Sequence, residues 1–93
     1  MYIVTVVFEF ADENAEAFRN RMLQQASDSL TKESGCKQFD VSFPEDNSNK
    51  CFLYEKYDDR AAFDEHLGSG HFKDFDATVK PWIVSKQVST WVH

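Results

Sequence analysis

Residues 50–75, from Lys50 to Phe75, read KCFLYEKYDDRAAFDEHLGSGHFKDF. Lys50–Tyr57 is rich in aromatic and apolar side chains and forms a strand. Asp58-Asp59 offers a side-chain cap for a helix that runs to about Leu67. The Gly68-Ser69-Gly70 break ends that helix, and Ser69 caps a second short helix from His71 to about Val79. Lys80-Pro81 stops it, because proline cannot continue the hydrogen-bond ladder and biases the preceding residue away from helix. The stretch holds both histidines that lie away from the C-terminus, His66 and His71. It also sets Glu55 and Tyr57 on one face of the strand. Most reactive groups are therefore expected here.

Upstream, Tyr2–Phe10 alternates with period two, yet both faces are apolar. Tyr2, Val4, Val6, Phe8 and Phe10 lie on one face, Ile3 and Val7 on the other. Such a strand needs cover on both sides. In a domain this small, helices cover one side and a second copy of the chain is expected on the other, giving a homodimer. Asp12 is placed to cap the next helix, with Glu13 and Glu16 favourable in its first turn. Phe18, Met22, Ala26 and Leu30 recur every four residues with Leu23 beside them, and this stripe reads as core packing. Gly35 is expected to stop the helix in a left-handed conformation.

Cys36–Phe43 follows as a strand, with Phe39, Val41 and Phe43 on one face and Gln38, Asp40 and Ser42 on the other. Pro44–Asn49 has strong turn chemistry, and Trp82–Val92 is the last strand. The order strand, helix, strand, strand, helix, strand is the split βαβ, ferredoxin-like pattern. It predicts an α+β fold with a four-stranded antiparallel sheet and helices on one face.

With 93 residues the chain is read as one domain, residues 1–93. A hydrophobic content of 42%, with nine Phe, rules out disorder and supplies a dense core or a core with an apolar pocket. The net charge of −6 repels phosphate backbones and anionic lipid, so no nucleic-acid partner is expected. No run of about 20 apolar residues is present, so no membrane crossing is expected. The opening MYIVTVVFEF reads as a strand rather than a leader, and a cytoplasmic location is expected. A hairpin around Pro44–Asn49 pairs Cys36 with about Tyr57 and Cys51 with about Ser42 or Phe43. The two thiols are then too far apart to bridge. Without clustered His or Cys neighbours they make no zinc site either.

Four motifs in order, G-C-x-x-F-D-V (Gly35–Val41), F-L-Y-E-x-Y-D-D (Phe52–Asp59), A-F-x-x-H (Ala62–His66) and S-x-H-F (Ser69–Phe72), resemble the antibiotic biosynthesis monooxygenase family. Within it they look most like the quinol monooxygenase and autoinducer-2 phosphate-processing branch. The resemblance implies ferredoxin-like subunits packed sheet to sheet as a dimeric α+β barrel, with a pocket between sheet and helices. It also implies oxidation of phenolic or quinol-like substrates by O₂ with no metal or flavin. The haem-degrading relatives use an Asn on the first strand, a Trp late in the third and a His ligand in the last helix. Val6 or a neighbour, Tyr57 and Asp76 stand there in this chain, which argues against haem as a cofactor.

Oxygenation without a cofactor needs an electron-rich anion that can pass one electron to triplet O₂, and hence a general base in a dry pocket. His66 lies beside the buried stripe of its helix and is the first candidate base. The competing reading is a histidine that complements the helix dipole or satisfies a core hydrogen bond. His71 sits at a helix N-terminus, which favours a neutral imidazole able to accept a proton. Its alternative is surface packing over Phe72. Glu55 is a carboxylate on a half-buried strand: a raised-pKa base, an orienter of a histidine, or a partner of Lys37 or Lys86 in a cross-strand ion pair. Tyr57 is either a donor to a substrate oxygen or an aromatic wall. Asp40 and the terminal His93 carry little functional weight, and Trp82 and Trp91 read as core or interface. Two other functions remain open, an isomerase or lyase acting on a small phosphorylated hydroxyketone and a non-catalytic dimeric binding module.

Overall fold

The computed structural model describes residues 1–93. Strand β1 (Tyr2–Phe10) leads through a 3-10 turn to helix α1 (Ala15–Lys32), then β2 (Cys36–Ser42) and β3 (Lys50–Tyr57). Helices α2 (Arg60–Gly68) and α3 (Gly70–Val79) follow, then a second 3-10 turn and β4 (Ile83–Val92). The four strands form one antiparallel sheet in the order β2-β3-β1-β4. This is the ferredoxin-like fold, with its second helix broken in two at Ser69.

Register places the inner face of the sheet. Val4 pairs with Glu55, Val6 with Leu53 and Phe8 with Cys51, and all six are buried beneath the helices. A bulge between Cys36 and Gln38 lets Cys36 and Phe39, three residues apart, both turn inward. Phe18 of α1 stacks on Phe10 at 4.4 Å and meets Phe8 edge-on at 5.3 Å, which fastens the helix over β1. Cys36 faces Tyr57 across the ladder while Cys51 faces Phe8, and both thiols are free. Burial pushes each thiol up to about 12, so neither is a ready nucleophile.

Several local expectations change. Asp12 does not cap α1. It lies in the 3-10 turn and its Oδ1 accepts from Asn49 Nδ2 at 3.0 Å, tying the start of the helix to the hairpin loop. The buried stripe of α1 passes through Phe18, Met22, Gln25, Ala26 and Ser29, while Leu23 and Leu30 are exposed. A period of 3.6 rather than 4 carries the stripe away from Leu30. Gly35 has no positive φ. Its requirement is space, because a Cβ there would stand 2.6 Å from Ala62 Cβ on α2. The left-handed residue is Asn47 (φ 60°) in the β2–β3 turn, where short polar side chains are tolerated. Trp82 lies in the second 3-10 turn rather than in β4.

The outer sheet face carries no helix. Val7 and Phe52, cross-strand partners, are exposed there, as is Trp91, whose Nε1 donates to Thr5 Oγ1 at 3.0 Å. No helix of the chain is long and apolar enough to cross a membrane.

Candidate active site

Three hydrogen bonds from two capping residues fix the histidine-bearing helices. Asp59 Oδ1 accepts from Ala62 N–H at 2.9 Å and starts α2. Ser69 Oγ accepts from Phe72 N–H at 3.2 Å to start α3, and donates to the His66 carbonyl at 2.7 Å. One serine thus ends the helix of His66 and begins that of His71. Gly35 lets α2 lie directly against the chain leaving α1.

Between these helices and the sheet is a cleft of about 240 Å³. Its walls are apolar, with Val4, Val6 and Phe8 of β1, Met22 of α1, Phe63 of α2, and Phe72 and Phe75 of α3. Its polar side chains are Gln25, Glu55, His66 and Lys86. The cleft borders β4, the edge strand next to β1, where Lys86 and Val88 are exposed.

His66 is 3% exposed and sits among aromatic rings, 4.9 Å from Phe72 and 5.4 Å from Tyr57 between centroids. Its Nδ1 lies 2.9 Å from Glu33 Oε2. The same oxygen lies 2.7 Å from His71 Nε2, and Gln25 Nε2 lies 3.1 Å from His71 Nδ1. Burial pushes the His66 imidazole down to about 4, and the charge of Lys86 adds to this. A ring shifted this far down is neutral at pH 7. Burial raises Glu33 above the usual carboxylate range, with the contact to His71 acting against it.

Glu55 is also 3% exposed. Burial pushes its carboxyl up to about 7, although the Tyr57 hydroxyl, 2.6 Å from Oε1, and Lys86 both favour the ionised form. Tyr57 is wholly buried, and its hydroxyl is held well above the ordinary phenol range by burial and by Glu55.

The structure therefore brings His66 and Glu55 to the cleft and keeps His71 and Tyr57 behind its wall. Glu55 pairs with Tyr57 rather than orienting a histidine or bridging to Lys37, which instead meets Asp58 at 3.8 Å. The partner of both histidines is Glu33, which the sequence reading did not single out. Gln25, Ser29 and Glu33 recur every four residues beside the apolar stripe of α1, and a polar stripe at that spacing ordinarily marks a solvated face. No group of three or more His, Cys, Asp or Glu is arranged to hold a metal ion.

A ferredoxin-like sheet whose helical layer roofs an apolar, histidine-bearing cleft defines a class of small α+β proteins. The sequence profile for antibiotic biosynthesis monooxygenases matches residues 1–78, and the chain belongs to that family. The matched part includes Glu33, Glu55, His66 and His71, while Lys86 lies beyond it. Among solved structures, the chain is similar to a Nitrosomonas europaea protein provisionally named an antibiotic biosynthesis monooxygenase. They share 23% identity and a TM-score of 0.93, covering 100% of this chain and 98% of that one. It is similar to Rv0793 of Mycobacterium tuberculosis at 25% identity and a TM-score of 0.91, covering 99% and 93%. It also resembles PA3566 of Pseudomonas aeruginosa at 21% identity and a TM-score of 0.90, covering 99% and 92%. No curated protein matches the sequence significantly.

Proposed function

We propose that the protein is a monooxygenase that oxidises a small electron-rich aromatic, a hydroquinone or a comparable phenol, with O₂ and no bound cofactor. The observation that carries this reading is His66: a neutral imidazole in an apolar cleft, with Nδ1 engaged by Glu33 and Nε2 without a protein partner. A cavity of about 150 Å³ accepts benzene. The cleft of about 240 Å³ accordingly suits one substituted ring or two fused rings.

His66 Nε2 takes the proton of a substrate hydroxyl. A phenol has a pKa of about 10, so a base this weak needs help on both products. Lys86 offers its charge to the phenolate, and Glu33 offers its carboxylate to the imidazolium. The phenolate passes one electron to O₂, and the two radicals join as a C–O bond. Loss of water from the resulting hydroperoxide gives a hydroxyquinone, so that hydroquinone + O₂ yields hydroxyquinone + H₂O and the substrate supplies every electron. Glu55, poised near neutrality, supplies the proton for the departing oxygen.

The apolar outer face with Val7, Phe52 and Trp91 supports a homodimer packed sheet to sheet. Lys86 is the only cation lining the cleft, which leaves a phosphorylated hydroxyketone with a single anchor and gives that reading less support. A cleft with room for a ring gives the non-catalytic dimeric binding module less support than a pocket filled with packed side chains would. The test is oxygen uptake with a panel of one- and two-ring hydroquinones. Uptake of one O₂ per substrate, with hydroxyquinone formed, supports the reading, and substrate conversion with no oxygen consumed refutes it.

A further inference from the structure

Glu33 stands at the end of α1 with its side chain nearly buried, and its Oε2 lies 2.9 Å from His66 Nδ1 and 2.7 Å from His71 Nε2. This convergence fixes where the protons are. A ring nitrogen that turns a bare lone pair toward a carboxylate oxygen is repelled, so each facing nitrogen carries hydrogen, although the His71 Nε2–H is close to Glu33 without the alignment of a hydrogen bond. In a ring that carries one N–H the far nitrogen is then an acceptor. Gln25 Nε2 lies 3.1 Å from His71 Nδ1, where its N–H suits a ring nitrogen that accepts. His66 Nε2 has no protein partner, and its ring lines the cleft.

We propose that Glu33 is a positioning residue that locks the two histidines in opposite tautomers. His66 is held as the Nδ1–H form with its Nε2 lone pair toward the cleft, and His71 is held as the Nε2–H form as a second anchor of the carboxylate. This rests on the reading of His66 as the base, and it gives His71 a supporting part rather than a second proton-accepting one. The order from cleft to helix is His66, Glu33, His71, Gln25. Ser29 and Glu65 also face Glu33, the hydroxyl favouring its ionised form and the second carboxylate opposing it. Gln25 is itself held in α1 beside Ser29, whose hydroxyl donates to the Gln25 carbonyl at 2.9 Å. The far end of the chain is therefore fixed by the helix and not by solvent. When His66 Nε2 takes a proton, the positive charge forms beside a carboxylate already oriented toward it, with no side chain needing to turn.

The lock can be read without a substrate. Long-range 1H–15N spectra of the imidazoles distinguish the two tautomers, and the Nε2–H form is the commoner one for a free histidine. The wild-type protein near pH 7 is expected to show His66 as Nδ1–H and His71 as Nε2–H. In Glu33→Ala, His66 loses its preference for Nδ1–H, and kcat on a responsive hydroquinone falls by about a hundredfold with KM little changed. Glu33→Gln keeps an acceptor without the charge, so the tautomers persist while kcat falls by about tenfold. A wild-type His66 found as Nε2–H, or a Glu33→Ala protein with unaltered tautomers and turnover, overturns the proposal. If Glu33→Ala does not fold, the wild-type and Glu33→Gln spectra decide. Opposite tautomers in a protein whose His66→Ala variant retains full turnover would uphold the lock and remove the base, which keeps the two failures apart.

Discussion

Gly35→Ala tests how the fold builds the site. The added Cβ would stand 2.6 Å from Ala62 Cβ, where carbon atoms in contact ordinarily sit at about 3.5–4.0 Å. Relief requires α2 to withdraw by about 1 Å, because Ala62 Cβ is fixed to its backbone and cannot swing aside. Overpacking of this kind costs about 1–3 kcal/mol. In a domain of this size each kcal/mol lowers Tm by about 4–8 °C, so a fall of roughly 5–20 °C is expected. The displacement also reaches the site. Gly35 is two residues after Glu33, and Ala62 is one helical turn before His66, so a 2.9 Å contact between Nδ1 and Oε2 stretches past bonding range. Thermal unfolding by circular dichroism and the imidazole 15N spectrum measure the two effects. The control is Gly68→Ala, where a Cβ meets nothing within 4 Å and the helical position favours alanine by about 1 kcal/mol. A Gly35→Ala protein with Tm unchanged to about 1 °C, or destabilised no more than Gly68→Ala, would refute the close-approach argument.

Glu55→Gln carries a pH signature. Because the folded-state pKa is raised from 4.5 to about 7, the native state holds this proton more tightly than the unfolded chain. The associated stability is complete below pH 4.5 and lost as pH rises through 7, amounting to roughly 3 kcal/mol. The amide variant escapes that loss, so urea unfolding is expected to show it more stable than wild type at pH 8 and level with it at pH 4.5; a constant offset across this range contradicts the assignment. Phe52→Lys places a charge on the exposed outer face and is expected to convert a dimer to monomers in sedimentation velocity. An unchanged species, or a monomeric wild type, removes the sheet-to-sheet interface. Lys86→Met withdraws the cation that faces the phenolate, and kcat/KM is expected to fall by about tenfold or more at constant fold. An unaffected kcat/KM takes Lys86 out of the chemistry.

The elements were legible in the sequence because local chemistry and tertiary packing agree. Asp59 and Ser69 cap the helices that local sequence assigns to them, and the alternation of Lys50–Tyr57 gives the inward face that carries Glu55 and Tyr57. Cys36 pairs with Tyr57 as the hairpin count requires. The misread positions are those whose role depends on a distant neighbour. Gly35 answers to Ala62 and Asp12 to Asn49, neither of which local sequence reveals. The site was legible only in part for the same reason. His66 announces itself by lying next to an apolar stripe. Glu33 looks like an ordinary polar residue at a helix end until α2 and α3 bring two imidazoles to it. Tyr57 shows the converse: its pairing with Glu55 follows from their spacing of two along the strand, but its depth comes from Phe63 and His66 above it.

The central claim is that His66 accepts the substrate proton inside an apolar cleft. Its most direct test is single-turnover oxygen uptake by wild type and by His66→Ala, each saturated with a hydroquinone that the wild type consumes. The account predicts that His66→Ala folds, binds the substrate with similar affinity, and loses at least about a hundredfold in rate. A His66→Ala protein that consumes oxygen at the wild-type rate would contradict it.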